Sequence, residues 1–179
     1  VIRNRLEKNL VNIDWVEAKN LDEDDMIAYS IPTYEMDNKS ITEEDCRMYG
    51  IILGDGSLNN SNNGSGYISL HTHNKREMCA FILQYFENRC IQCDMTIDAN
   101  TTRIRWNKHI ELPFRYNDFY DENKQKRILP KWLNLPLHKS KYILKGLIET
   151  DGSYNVSELV FDSTSLNLIE SVRFLCLKM

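Results

Sequence analysis

Two stretches of the chain are apolar on nearly every side of a helix. Cys46, Met48, Tyr49, Ile51, Ile52 and Leu53 make up the first, and Tyr142, Ile143, Leu144, Leu147 and Ile148 the second. A helix apolar around most of its circumference must be buried, so two buried helices are predicted. Thr42 followed by Glu43, Glu44 and Asp45 predicts where the first begins, with a capping hydroxyl and acids in the first turn. Each helix carries an internal glycine, Gly50 and Gly146, although Gly costs about 1 kcal/mol there relative to Ala. That predicts a close approach at both positions, by the other helix. Elsewhere the period changes to two. "YISLHTH" at 67–73, "TTRIRWNKH" at 101–109 and "ELVFDST" at 158–164 read as strands. "KREMCAFILQYFENR" at 75–89 and "LNLIESVRFLCLKM" at 166–179 read as amphipathic helices.

The two buried helices belong to a repeat. "GIILGDGSL" at 50–58 and "GLIETDGSY" at 146–154 share five of nine residues at an offset of 96. Each copy reads helix, acidic-Gly turn, strand, helix. Packing the two helices side by side would bring Asp55 and Asp151 together, held by the turns at Gly56 and Gly152. Two adjacent carboxylates repel unless a cation sits between them. Oxygen-only ligation favours a hard divalent cation such as Mg²⁺, which suits phosphoryl transfer. One Asp-Gly pair is usually an ordinary turn. Two, on matched helices with matched downstream elements, point to function.

Composition changes this picture modestly. Of 179 residues, 42% are hydrophobic and 27% charged, as in a globular protein, and no apolar run approaches a membrane span. No secretory leader is visible, and five cysteines favour a reducing, intracellular compartment, cytoplasm or nucleus. The net charge of −4 is an average of unlike parts. Residues 1–45 hold 5 Lys and Arg against 12 Asp and Glu, whereas residues 99–145 hold 11 against 4. A basic centre behind an acidic leader is compatible with a phosphate-binding face. Cys90-x-x-Cys93 lacks the second ligand pair that a structural zinc site needs, and reads as partly buried thiols. His71-Thr-His73 lacks the pattern of a His-type nuclease.

"MYGIILGDG" at 48–56 and "LKGLIETDG" at 144–152 resemble the paired motif of LAGLIDADG homing endonucleases of the monomeric two-repeat type. The resemblance covers roughly residues 41–179. The second copy is the closer match, with Glu149 as an acid in the sixth place; the first departs at Leu53 and Gly54. The resemblance implies an α+β fold of αββαββα pseudo-repeats, with curved antiparallel sheets and two central motif helices. It implies a double-strand DNA endonuclease that leaves short 3′ overhangs at long sites. Asp55 and Asp151 would bind Mg²⁺ or Mn²⁺, and the partner would be a double-stranded DNA target. The full protein is expected to be a monomer with an internal pseudo-dimer.

Two further blocks extend the resemblance. "KQKRILPKWLNLPLHKSKYILKGL" at 124–147 is similar to the basic, apolar, Pro-containing block before the second motif of intein-borne members, where a basic residue assists cleavage. Pro130 sets the register so that Arg127 or Lys126 takes that role. "NIDWVEAKNLDEDDMIAYSIP" at 12–32 resembles the end of an intein splicing (Hint) block through Trp15, Ala18, Leu21, Asp25 and Ile27, implying host exteins in a precursor. The expected division is 1–40 leader and linker, 41–136 first repeat, and 137–179 second repeat, incomplete. Val1 at the start and Met179 near the second repeat's helix suggest an excerpt.

DNA contact is expected from alternate strand positions. These are Ser69, His71, His73 and Lys75 in one strand and Arg103, Arg105 and Asn107 in another, with Ile104 and Trp106 facing a core. "NNSNNGSG" at 59–66 is a flexible tip. Three rival readings remain: an RNA maturase of the same fold, a nucleic-acid-binding relic without chemistry, and a parent protein whose main activity is splicing.

Overall fold

The computed structural model describes residues 14–27, 34–60, 65–107, 111–154 and 158–179. The chain divides into two units, residues 1–32 and 33–179. In the first, residues 14–27 contain a single 3₁₀ turn, Ala18–Asn20, and no strand. Trp15 and Ile27 are fully or nearly fully exposed, at 104% and 84%. Residues 28–32 of the splicing-like block lie outside the described residues.

The second unit starts from helix α1, Glu43–Asp55. Thr42 caps it as the sequence suggests: its hydroxyl oxygen accepts from the Asp45 N–H at 3.1 Å. The Asp45 carboxylate returns the bond by accepting from the Thr42 N–H at 2.8 Å. Asp45 is itself buried, and a buried carboxylate must be paired. Tyr85 and Arg89 each donate to it at 2.7 Å, tying the start of α1 to helix α2, Arg76–Glu87, and the turn after it.

Helix α1 passes directly into β1 (Gly56–Leu58), which pairs with β2 (Gly66–His71). After α2 come β3 (Cys93–Ile97) and β4 (Thr101–Trp106). The four form one antiparallel sheet in the order β1-β2-β4-β3. Its inner face carries Ile68, Leu70, Ile104 and Trp106, all buried, and Phe86 of α2 packs on Trp106 with ring centroids 4.9 Å apart. Its outer face carries the polar residues of the same alternation. A short helix α3, Pro130–Leu133, then leads to α4, Leu137–Asp151. β5 (Gly152–Tyr154) and β6 (Leu159–Phe161) form a hairpin, and α5 (Leu166–Lys178) follows. Ser165 caps α5 by accepting from the Leu168 N–H.

The two motif helices, α1 and α4, meet at their glycines. A Cβ on Gly50 would run into the Ile143 carbonyl oxygen, and one on Gly146 into the Arg47 carbonyl oxygen. The contact is reciprocal, so both backbones approach more closely than any side chain allows. Gly54 is small for a related reason, because Thr150 of α4 fills the space where its side chain would be. Around this crossing Met48, Tyr49, Ile51, Ile52, Leu53, Ile143 and Leu147 are fully buried. Tyr49 stacks on Trp132 at 4.1 Å between centroids and donates to the Asp118 carbonyl at 2.6 Å.

Candidate functional site

Asp55 and Asp151 are the last residues of α1 and α4, and Gly56 and Gly152 follow them in extended conformation. The glycine contact that draws the helices together also brings their C-terminal ends together. Each end carries the negative pole of its helix dipole as well as a carboxylate, so the arrangement is unfavourable without cations.

Two ammonium groups answer that charge. Lys126 Nζ donates to the carbonyl oxygens of Gly54 at 2.7 Å and Gly56 at 3.1 Å, at the end of α1. Burial pushes the Lys126 ammonium below its ordinary pKa, while Asp151 and Asp55 pull it back up. Lys75 Nζ lies 2.6 Å from Asp55 Oδ2 and donates to the Thr150 carbonyl at 2.9 Å, bridging the two helix ends. Solvent reaches Asp151, yet the packed surroundings hold its carboxyl above the ordinary range. Desolvation is the larger cause and repulsion from Asp55 the second, with Lys126 and Lys75 opposing both.

Of the two basic residues the sequence left open, only Lys126 reaches the helix end that carries an acid, and it binds carbonyls there while Asp151 and Asp55 act on it through their charge. Arg127 is adjacent in sequence, but its backbone N–H donates to Phe119 and its Nε is buried without a hydrogen-bond partner. Glu149, the sixth-place acid, binds Arg47 through two hydrogen bonds of 2.9 and 3.1 Å. At the positions 96 residues away, Leu53 and Ile143 are both fully buried. The departure at Leu53 thus replaces a charged pair by apolar burial on the other side of the pseudo-symmetry.

The sheet's outer face holds Tyr67, Ser69 and His71 of β2 beside Thr101, Arg103 and Arg105 of β4. His73 and Lys75 do not belong to it. β2 ends at His71, and residues 72–75 turn toward α2, so counting by twos fails beyond the strand. Lys75 points into the acid site instead. Asn107 is exposed just past the end of β4. Residues 61–64 of the polar tip and residues 108–109 lie outside the described residues. The sequence reading missed Lys75 as an acid-site residue, although a lysine where a helix start favours Ser, Thr, Asp or Asn is a signal that it serves elsewhere.

The oxygen-only donor set suits a hard divalent cation. Among the described residues, no three or more His, Cys, Asp and Glu side chains cluster to hold a metal. Asp55 and Asp151 would therefore supply only part of the oxygen donors of such a cation. The same finding gives Cys90 and Cys93 no zinc site among the described residues. Cys90 is exposed rather than partly buried, and burial pushes the Cys93 thiol up to about 11.

The chain has the fold of the homing endonuclease I-DmoI. A structure of mesophilic I-DmoI variants matches at a TM-score of 0.55 and 15% identity, over 77% of this chain and 78% of that one. I-DmoI in complex with DNA and Ca matches at 0.55 and 13%, over 77% and 73%. I-DmoI in complex with DNA and Mn matches at 0.54 and 15%, over 78% of each. At such identities the likeness is one of fold. No protein-family model matches the chain, and no curated protein does either. No helix among the described residues is long and apolar enough to cross a membrane.

Proposed function

We propose that this chain is a LAGLIDADG-type homing endonuclease that cuts both strands of duplex DNA by metal-dependent hydrolysis. The observation that carries the proposal is the meeting of Asp55 and Asp151 at the ends of two interlocked helices, with Lys126 and Lys75 packed about them. Neighbours of the same fold were solved with target DNA and with divalent metals.

Asp55 and Asp151 would hold Mg²⁺ or Mn²⁺. Such a metal activates water and stabilises the leaving oxygen of a phosphodiester. Lys126 is held beside both carboxylates by two helix-end carbonyls, so its ammonium is pre-oriented to stabilise charge on the phosphoryl oxygens. Its depressed pKa also makes it the better proton donor. Arg127, whose Nε is buried without a partner, takes no part. The outer sheet face, with Ser69, His71, Arg103 and Arg105, would enter the major groove. Residues 41–136 would act as the first repeat and 137–179 as part of the second.

The leader's Trp15, Ala18, Leu21, Asp25 and Ile27 support a finer reading, in which the nuclease is borne by an intein that splices from a host protein. Sequencing the flanking coding region tests this: an initial nucleophile and a terminal His-Asn are expected, and uninterrupted unrelated sequence would overturn it.

The test of the nuclease has two steps. A random duplex library is selected for binding in Ca²⁺, and the enriched duplex is then incubated in Mg²⁺ with wild type, Asp55→Asn and Asp151→Asn. Double-strand cleavage by wild type alone is expected. Binding without cleavage, equal in all three, would move the assignment to a maturase or a relic.

A further inference from the structure

Arg103 differs from every other cation on the sheet's outer face in being held. It lies opposite Ser69 in the β2–β4 register, and its Nε donates to the Ser69 hydroxyl at 3.1 Å. Its guanidinium carbon lies 5.4 Å from the ring centre of Tyr67, within cation–π range. Both contacts leave the two terminal nitrogens of the fork without partners among the described residues. Arg105, two residues on and on the same face, has no side-chain partner among the described residues. One arginine is pre-organised and its neighbour is not.

Position decides what a pre-organised arginine meets. β4 is an interior strand, flanked by β2 and β3. Neighbouring strands lie about 4.8 Å apart, so the outer two of four are separated by roughly 14 Å. The major groove is about 12 Å wide. A sheet seated along the groove puts its outer strands over the phosphate rails and its interior strands over the base edges. Arg103 is in the middle of β4, between Ser69 on one side and Thr96 on the other. A free arginine fork over base edges matches the O6 and N7 acceptors of guanine, which it binds bidentately.

We infer that Arg103 is a specificity-determining residue that reads a guanine in the major groove, with Ser69 positioning its fork. The inference rests on the nuclease reading above, and it adds a base identity at one position of the target. A bidentate contact of this kind discriminates against a wrong base by roughly tenfold to a hundredfold. Lysine keeps the charge but not the fork.

The experiment is selection from a random-sequence duplex library in Ca²⁺ with wild type, Arg103→Lys, Ser69→Ala and Arg105→Lys, followed by sequencing. All three substituted residues lie on the sheet's outer face, and circular dichroism checks that the fold is unchanged. The wild type is expected to enrich a site with a dominant G·C pair at one position. Arg103→Lys should lower that preference at least tenfold and leave the other positions intact. Ser69→Ala should lower it by less, without changing the base, and Arg105→Lys should leave it alone. If Arg103→Lys weakens binding evenly across all sequences, Arg103 is a phosphate contact and the inference falls while the DNA reading stands. If the wild type enriches no duplex, both fall.

Discussion

Replacing Gly50 by alanine tests the helix crossing on which the site depends. A Cβ there would lie 2.9 Å from the Leu147 nitrogen and 3.0 Å from the Ile143 carbonyl carbon, and closer still to its oxygen. Non-bonded carbon contacts settle at about 3.5–4.0 Å, so α1 and α4 must part by roughly 1 Å. A gap of that size forfeits up to about half of the dispersion well for each atom pair across the interface. A buried aliphatic side chain makes about 40–60 contacts of ~0.1–0.2 kcal/mol. With about a third of those across the crossing, Ile51, Ile143 and Leu147 each lose about 1 kcal/mol. Alanine's better helix propensity returns about 1 kcal/mol of the total of about 3. The net loss is about 2 kcal/mol, within the range seen for overpacked cores. Urea denaturation reads it: the midpoint should fall by about 1 M with the slope unchanged, given slopes of about 1–3 kcal/mol per M. Lys141→Ala, on the exposed side of α4, serves as the control and should shift stability by less than about 0.5 kcal/mol. A Gly50→Ala protein as stable as wild type would refute the close backbone crossing.

Other predictions follow from the charges. The Asp151 carboxyl is held above its ordinary range, so it favours the fold only when protonated. That contribution is complete below the unfolded carboxylate value and is lost as pH rises through the higher folded one. Asp151→Asn should therefore melt higher than wild type at pH 7, with the gap closing toward pH 4; a gap independent of pH in calorimetry would contradict this. Lys126→Met should lower cleavage of the selected duplex by about 100-fold or more while binding persists. Arg127→Met should stay within a few-fold in the same kinetic assay, and the opposite ranking would assign the catalytic role to Arg127. Arg47→Ile or Glu149→Leu alone strands a half-buried charge and should each cost about 1–2 kcal/mol. The double variant recreates the apolar residues found at Ile143 and Leu53, and chemical denaturation should show most of the loss restored; additive losses would count against the pairing.

Much of this protein is legible in its residues because it depends on local periodicity. The apolar circumference of residues 46–53 and 142–148 announces burial, since no solvent-facing helix survives without a polar side. The mid-helix glycines announce a close neighbour, and the repeated Asp-Gly turns announce paired acids at the helix ends. Thr102, Ile104 and Trp106 buried between exposed Arg103 and Arg105 follow from a period of two, which the backbone imposes on any strand. What the tertiary structure alone decided lies between residues distant in the chain. Glu149 and Arg47 are 102 positions apart, and only the crossing of α1 and α4 makes them a pair. Lys126 and Arg127 are equally basic neighbours, but Tyr120 and Lys126 are bridged as in an antiparallel ladder, where successive side chains point opposite ways. One reaches the end of α1 and the other points to the opposite side. Lys75 continues the strand's alternation on paper, yet the backbone turns after His71, and its flexible four-carbon stem carries the ammonium to Asp55. A side chain's direction is local physics only while the element lasts; past its end, the packing of the whole unit decides where the charge arrives.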